Sequence, residues 1–391
     1  MVHIHFSVSG IGLGHASRSH VIIKEAERRG LSYSISTYGD AVDYFHRRGL
    51  KVYKVPSIDY GRGSSGEVSI KSTILFNLTL PVKVVAQTLV ESRLLEEHGA
   101  DVVMADTRAS AVLAAKALGT PSVLILNQYR ITLMKDKWVR LAAFSEEIVN
   151  SFTAVWSFSD RILVADYPPP LTITRENLVM RKVDEARAKY VGPLLLRRPG
   201  DFPDRPSLKS RLGFNPDEVL IAIVPTGPGP DRERFRDLVI KLFPHLVDYQ
   251  VLMTGVSPRM LKSLDLSASE RHRFVEWYDD ECELLAAADI VLSRAGHTLA
   301  AKALAFGCRL IVTPIPRQTE QENNARALEE DGAAVVLPER DLTPEGLRKA
   351  LRCVFEVIEE ARLARYMDFA ERHDAKKTVV DELLSAAKRR L

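Results

Sequence analysis

Residues 288–325, ADIVLSRAGHTLAAKALAFGCRLIVTPIPRQTEQENNA, leave the chain few ways to fold. Ile290, Val291 and Leu292 form a short apolar strand, and Ser293 to Gly296 make a turn. Residues 298–306 then carry Ala and Leu at helical density, Gly307 stops the helix, and residues 309–313 return as a second buried strand. A strand, crossover helix and strand in so short a span read as a βαβ unit of a parallel sheet. The turn also points backbone N–H groups from a helix N-terminus, where the macrodipole favours an anion. Beyond it, a loop fixed in direction by Pro314 and Pro316 leads to Glu320, Gln321 and Asn324 at the start of another helix. A cradle for a diphosphate beside short polar groups for sugar hydroxyls is what a nucleotide sugar requires.

The rest of the chain repeats this grammar. Residues 2–9 alternate as a first core strand; Gly10-Ile11-Gly12-Leu13-Gly14-His15 follows, then a helix through Arg28 closed by Gly30. The spacing is G-x-G-x-G-H, not the dinucleotide fingerprint, and Asp40 falls within the next helix start, so NAD is disfavoured. Further strands read at 33–37, 52–55, 102–105, 122–126 and 161–165. Residues 58–72 are rich in Gly and Ser and read as a mobile loop over the site, and a long helical segment broken near Pro81 runs on to Asp101. Asp106 and the run Asn127, Gln128, Tyr129, Arg130 sit at carboxyl ends of strands, the edge where open α/β sheets bind ligands. Residues 190–194 close a first domain, and 197–206, rich in Pro, Arg and Asp, read as a linker. A second Rossmann-like unit starts near Lys209, with strands at 219–224, 249–253 and 273–275 and the turn Thr226-Gly-Pro-Gly-Pro. A helix at 345–356 and a basic tail, 362–391, complete the chain. The expected fold is α/β, with two Rossmann-like domains (1–196 and 207–358) facing each other across a cleft, then a C-terminal helical segment, 359–391.

Composition excludes several classes. With 391 residues, 46% hydrophobic and 27% charged, the chain suits a two-domain soluble protein. A net charge of +3 is too small to argue for nucleic acid. Cys282, Cys308 and Cys353 have no metal-ligand spacing, which predicts a reducing, cytoplasmic setting without disulfides. Met1 leads directly into a strand, without a leader pattern, and no apolar run approaches the ~20 residues of a membrane span. Residues 74–78 with Lys71 and Lys83, extended by Lys135-Asp136-Lys137-Trp138, read in two ways: a peripheral contact with the inner face of a membrane, or a core-facing helix with a solvated edge.

RAGHTLAAKALAFG followed by PRQTEQENNA resembles the donor-binding segment of two-Rossmann-domain (GT-B) glycosyltransferases, and is most similar to MurG-like N-acetylglucosaminyl transferases. The resemblance implies a donor that is a nucleotide-diphosphate sugar, UDP-linked, and no cofactor. It implies that Thr226, Gly227 and Gly229, with Gly12 and Gly14 of the first turn, face the donor. Tyr278 with Trp277 beside it matches the base-reading loop; Arg294, Gly296, His297 and Thr298 match the helix start that holds the diphosphate. Glu320 and Gln321 match the pair that bonds sugar hydroxyls, with Asn324 in support. Inversion at the anomeric carbon is carried over in the same way, and the C-terminal helix is expected to cross back to the first domain. The acceptor stays open: lipid-linked sugar, glycolipid, small molecule or protein.

His15 is the candidate general base. It follows a glycine turn at a strand end, beside a helix N-terminus that favours a neutral imidazole, and Asp106 on the same rim would orient its ring. The alternative is a His that caps the helix or binds donor phosphate. Arg18, one turn on, reads equally as a contact to a charged group or as a solvated residue. No DxD-like metal motif stands on the donor rim, so transfer is expected to be metal-independent. One position departs from the family: Lys302 stands where a ribose-gripping Glu is usual, and an ammonium donates where a carboxylate accepts. Besides a transferase, a sugar-nucleotide epimerase of the same fold and a catalytically silent sugar-nucleotide binder fit the residues.

Overall fold

A computed structural model of the chain describes residues 2–58, 70–130, 150, 152–263 and 269–388. The loop expected over 58–72 falls almost wholly outside them, as do residues 135–138 and the side chains of 70–79.

The first domain contains β1 (His3–Val8), α1 (Gly14–Arg28), β2 (Ser32–Thr37), α2 (Asp40–His46), β3 (Tyr53–Lys54) and α3 (Ile70–Glu97). It continues with β4 (Val102–Asp106), α4 (Ala109–Leu118), β5 (Ser122–Leu126), β6 (Arg161–Val164) and β7 (Ala188–Tyr190). Its seven strands are all parallel in the order β3-β2-β1-β4-β5-β6-β7. The second domain contains α5 (Arg205–Arg211), β8 (Leu220–Val224), α6 (Gly229–Ile240), β9 (Gln250–Thr254), β10 (His272–Val275) and α7 (Glu281–Ala287). Then come β11 (Ile290–Ser293), α8 (His297–Ala305), β12 (Arg309–Val312), α9 (Thr319–Glu330), β13 (Ala334–Val336) and α10 (Pro344–Val357). Its six parallel strands run β10-β9-β8-β11-β12-β13. Central strands such as LIAIV and SVLIL are continuous apolar runs because helices cover both faces of a parallel sheet.

In each sheet the strand order reverses beside the first strand, between β1 and β4 and between β8 and β11. Such reversals open a crevice outside the carboxyl ends of the strands. The turns after β1, β4, β8 and β11 therefore converge on one interdomain cleft of about 980 Å³. The end of the chain joins the two domains. The helix α11 (Glu360–Arg372) buries Leu363, Tyr366 and Ala370 in the second domain's core, and α12 (Ala375–Ala387) buries Val379, Val380 and Leu383 in the first domain's core. The stretch read as a basic tail is thus a pair of packed helices, the last crossing back.

Pro81 does not break its helix: α3 runs through it. A proline forfeits one backbone hydrogen bond without having to end a helix, and on its C-terminal side Val84, Gln87, Glu91, Leu94 and Leu95 are buried. The exits of β1 and β2 touch so closely that a Cβ on Gly10 would stand 1.7 Å from the Tyr38 carbonyl oxygen. Gly10→Ala is expected to destabilise the chain by about 1–3 kcal/mol, read as a lower denaturant midpoint, because backbone, not a flexible side chain, must move.

Candidate active site

The turn after β1 brings His15 to the start of α1, facing the cleft, with Asp106 behind it at the end of β4. His15 Nδ1 lies 2.8 Å from Asp106 Oδ1. Asp106 is fully buried and takes further hydrogen bonds from Arg18 Nε and Ser19 Oγ, each 2.8 Å, and from Arg18 Nη2. Burial alone would raise its carboxyl, but the Arg18 guanidinium, the His15 ring and their hydrogen bonds hold it well below the usual carboxylate range. Arg18 spends its remaining donors on Asn127 Oδ1 and on Thr107 Oγ1 at 3.2 Å. A guanidinium has no acceptor, so although Arg18 Nη2 is 2.9 Å from His15 Nδ1 it cannot take a proton from that nitrogen. Oδ1 of Asp106 is the acceptor in reach. The ring then carries its hydrogen on Nδ1 and leaves the Nε2 lone pair for the cleft. Thr107, next along, has φ +52°, a left-handed strain for a β-branched residue right behind the dyad.

Facing this dyad is the turn of the second domain. Gly296 precedes α8, and His297 and Thr298 are its first residues. The two turns nearly touch: a Cβ on Gly14 would stand 3.0 Å from Thr298 Oγ1, and one on Gly12, whose φ is +69°, 3.8 Å from the Gly227 backbone. Thr226 Oγ1 and both ring nitrogens of His297 are buried with no hydrogen-bond partner in the protein. His297 Nε2 lies 3.3 Å from Asp166 Oδ1, just beyond the end of β6, without hydrogen-bond alignment. Unpartnered buried donors around a helix N-terminus suit an anionic ligand. Glu320 and Gln321 line the same cleft from α9. Burial pushes the Glu320 carboxyl up, against the pull of His15, His297 and Arg18, so a carboxyl from one domain stands near the imidazole from the other. Gln321 Oε1 accepts from the Ile315 backbone at 3.0 Å and so braces the Pro314–Pro316 loop.

Several expected contacts are placed differently. Arg294 lines the cleft from a buried position: Nη2 pairs with Glu339 Oε2 at 2.6 Å and the guanidinium stacks on Phe235. Asn324 is buried behind the turn and donates to the Ala295 carbonyl at 3.1 Å; it shapes the cradle rather than lining it. Gly229 begins α6 and stands outside the cleft lining that Thr226 and Gly227 share. Trp277 lines the cleft and also packs edge-on against Tyr44 of the first domain, with the Arg48 guanidinium 5.0 Å away. Tyr278 lines the cleft, its hydroxyl on Glu283 at 3.0 Å. Lys302 is 3% exposed and bridges Glu281 and Ser17. Arg18, left open by its sequence, proves to be the residue that fixes Asp106. Only its one-turn spacing from His15 on α1 signalled that. Among the described residues no group of three or more His, Cys, Asp or Glu side chains converges as a metal site, and no helix is long and apolar enough to cross a membrane.

Comparison with known proteins agrees with this architecture. Residues 238–379 match the glycosyltransferase family 28 C-terminal domain, and residues 2–175 match the family model described as glycosyl transferase family 1. An uncharacterised glycosyltransferase of Methanosarcina acetivorans is 26% identical over 355 residues, covering 90% of this chain and 89% of its own. The UDP-N-acetylglucosamine–N-acetylmuramyl-(pentapeptide) pyrophosphoryl-undecaprenol N-acetylglucosamine transferase of Desulfitobacterium hafniense is 42% identical over 95 residues, covering 24% of this chain and 26% of its own. Crystalline MurG of Acinetobacter baumannii superposes with a TM-score of 0.60 at 16% identity, covering 98% of this chain and all of its own. The chain is a glycosyltransferase of GT-B fold.

Proposed function

We propose that the enzyme moves a hexose or N-acetylhexosamine from a UDP-linked sugar to an acceptor hydroxyl, with inversion and without a metal ion. The observation that carries this reading is the His15–Asp106 pair, 2.8 Å apart, facing the α8 N-terminus across the cleft. His15 Nε2 takes the acceptor's proton as its oxygen bonds to the anomeric carbon. The bond from that carbon to the diphosphate oxygen breaks on the opposite face, and its electron pair leaves with the nucleoside diphosphate. The departing charge meets the N-terminus of α8, Thr226, His297 and Thr298, which supply fixed donors in place of a cation. Glu320 and Gln321 meet the sugar hydroxyls. The activity for which the Desulfitobacterium relative is named supports a UDP-N-acetylglucosamine donor.

The acceptor enters between α3, whose Leu80, Val84 and Gln87 line the cleft, and Tyr129 and Trp156. The same helix exposes Val82, Val85 and Leu89 on one side. A cytoplasmic protein meeting a lipid-linked or glycolipid acceptor at a membrane surface fits such a stripe better than one acting on free sugars.

The test is a thermal-shift panel of UDP, GDP, ADP and dTDP and their sugars, with and without EDTA. At a hundred times Kd, the matching nucleotide is expected to add about 2.7 kcal/mol of stability, seen as a raised Tm unaffected by EDTA. Loss of the shift in EDTA would overturn metal independence. Interconversion of UDP-sugars with no acceptor present would turn the assignment to an epimerase.

A further inference from the structure

Glu281 and Lys302 form a pair in the cleft wall that the transfer chemistry does not use. Lys302 Nζ donates to Glu281 Oε2 at 2.5 Å and to Ser17 Oγ of the first domain at 2.6 Å. Burial opposes the ammonium, but Glu281 beside it holds the group above the usual lysine range. Glu281 is the first residue of α7, directly after the loop carrying Tyr278, and its side chain stays 34% exposed while lining the cleft.

The position of the pair along the cleft is informative. Lys302 lies five residues beyond His297 on α8, so at ~1.5 Å per residue the pair sits roughly 7.5 Å from the phosphate end of that helix. It therefore stands between the phosphate cradle and the Tyr278 loop, the place of the pentose in a nucleoside diphosphate lying along the cleft. A carboxylate offers about four acceptor sites on two oxygens, and Lys302 takes one of them. The other oxygen has no partner among the described residues and can accept from two adjacent hydroxyls at once. An ammonium alone could not do so, because it has no acceptor. Trp277, seated on Tyr44 and near Arg48, walls the cleft on this side.

We propose that Glu281, held in place by Lys302, receives the two ribose hydroxyls of the donor, so that the enzyme selects ribonucleotide donors over 2′-deoxyribonucleotide ones. The inference rests on the nucleotide-sugar reading of the cleft. Lys302 acts through Glu281 and is a positioning residue.

Isothermal titration of wild type, E281A, E281Q and K302M with UDP against 2′-deoxy-UDP, and with the same pairs of GDP and ADP, tests this directly. Wild type is expected to bind the ribo form of its nucleotide about tenfold or more tighter than the deoxy form. E281A should weaken only the ribo form and bring that ratio to about one; E281Q and K302M, which keep the side-chain volume, should lower it in the same direction and stand in if E281A does not fold. A ratio that persists in E281A and E281Q, or wild type binding both forms of its nucleotide equally, overturns the assignment while leaving the donor reading in place. Wild type binding none of these nucleotides overturns both.

Discussion

Replacing His15 with Ala is expected to lower kcat for sugar transfer by 10²–10⁴-fold and to leave nucleoside-diphosphate affinity within about twofold. The separation follows from where the ring stands. His15 Nδ1 is engaged to Asp106, and its other nitrogen faces the cleft on the first domain's side, away from the buried, unpartnered donors of Thr226 and His297. A group that acts as the acceptor is deprotonated should appear in kcat, whereas a group that holds donor phosphate should appear in Kd. The ring is also 22% exposed, so its loss opens no core cavity and the fold should persist. The measurement is nucleoside diphosphate released per sugar transferred to a membrane-extract acceptor, alongside titration of the nucleotide alone. A parallel loss of affinity would make His15 a phosphate ligand. Wild type that binds nucleotide with no turnover to lose would make the protein a silent binder.

Much of the architecture could be read from local pattern because parallel strands buried on both faces are apolar runs with glycine exits. Residues 3–8, 122–126 and 290–293 announce themselves in this way. The strands that escaped are β7 and β13, three residues each, whose edge pairing depends on neighbours distant in sequence. Pro81 misled because the cost of a proline is set by tertiary packing, which a local rule does not see. The segment after residue 359 looked like a basic tail. Its apolar positions are spaced for two separate cores, and neither core is visible from the segment alone.

The nearness of His15 and Asp106 was legible because both follow strands that end on one rim, and their side chains lie 2.8 Å apart. The inward turn of Arg294 was not legible, since its partner Glu339 is 45 residues away and nothing local marks it. Trp277 and Lys302 share a feature that was not legible: each touches the opposite domain, Tyr44 in one case and Ser17 in the other. A residue's role at a domain interface depends on which surface closes on it. Motif spacing within one domain carries no information about that surface.

Arg18→Met is the substitution with the largest expected cost to stability. Arg18 is 2% exposed and grips both oxygens of a fully buried carboxylate, so removing it leaves Asp106 in the interior without its main counter-charge. Breaking a buried pair from one side costs about 3–5 kcal/mol at neutral pH. The pH dependence gives the sign. In the wild type Asp106 is held well below its ordinary value of 3.8, so the pair contributes fully above that pH, and the contribution is lost as pH falls toward the depressed folded value. In the variant, burial without the guanidinium pushes the carboxyl up, so Asp106 takes a proton at a higher pH and escapes part of the penalty. The gap between variant and wild type in denaturant midpoint should therefore be widest near pH 7 and narrow as the pH drops below about 3.8. Arg18→Lys keeps one charge but loses the fork to both oxygens, and should fall between the two. A loss in Arg18→Met under about 1 kcal/mol, or a gap that stays constant with pH, would mean that Ser19 and the backbone, not Arg18, hold the carboxylate. Asp106 would then be oriented by its hydrogen bonds alone, and the base at His15 would be a simple pair rather than the end of a three-residue charge cluster.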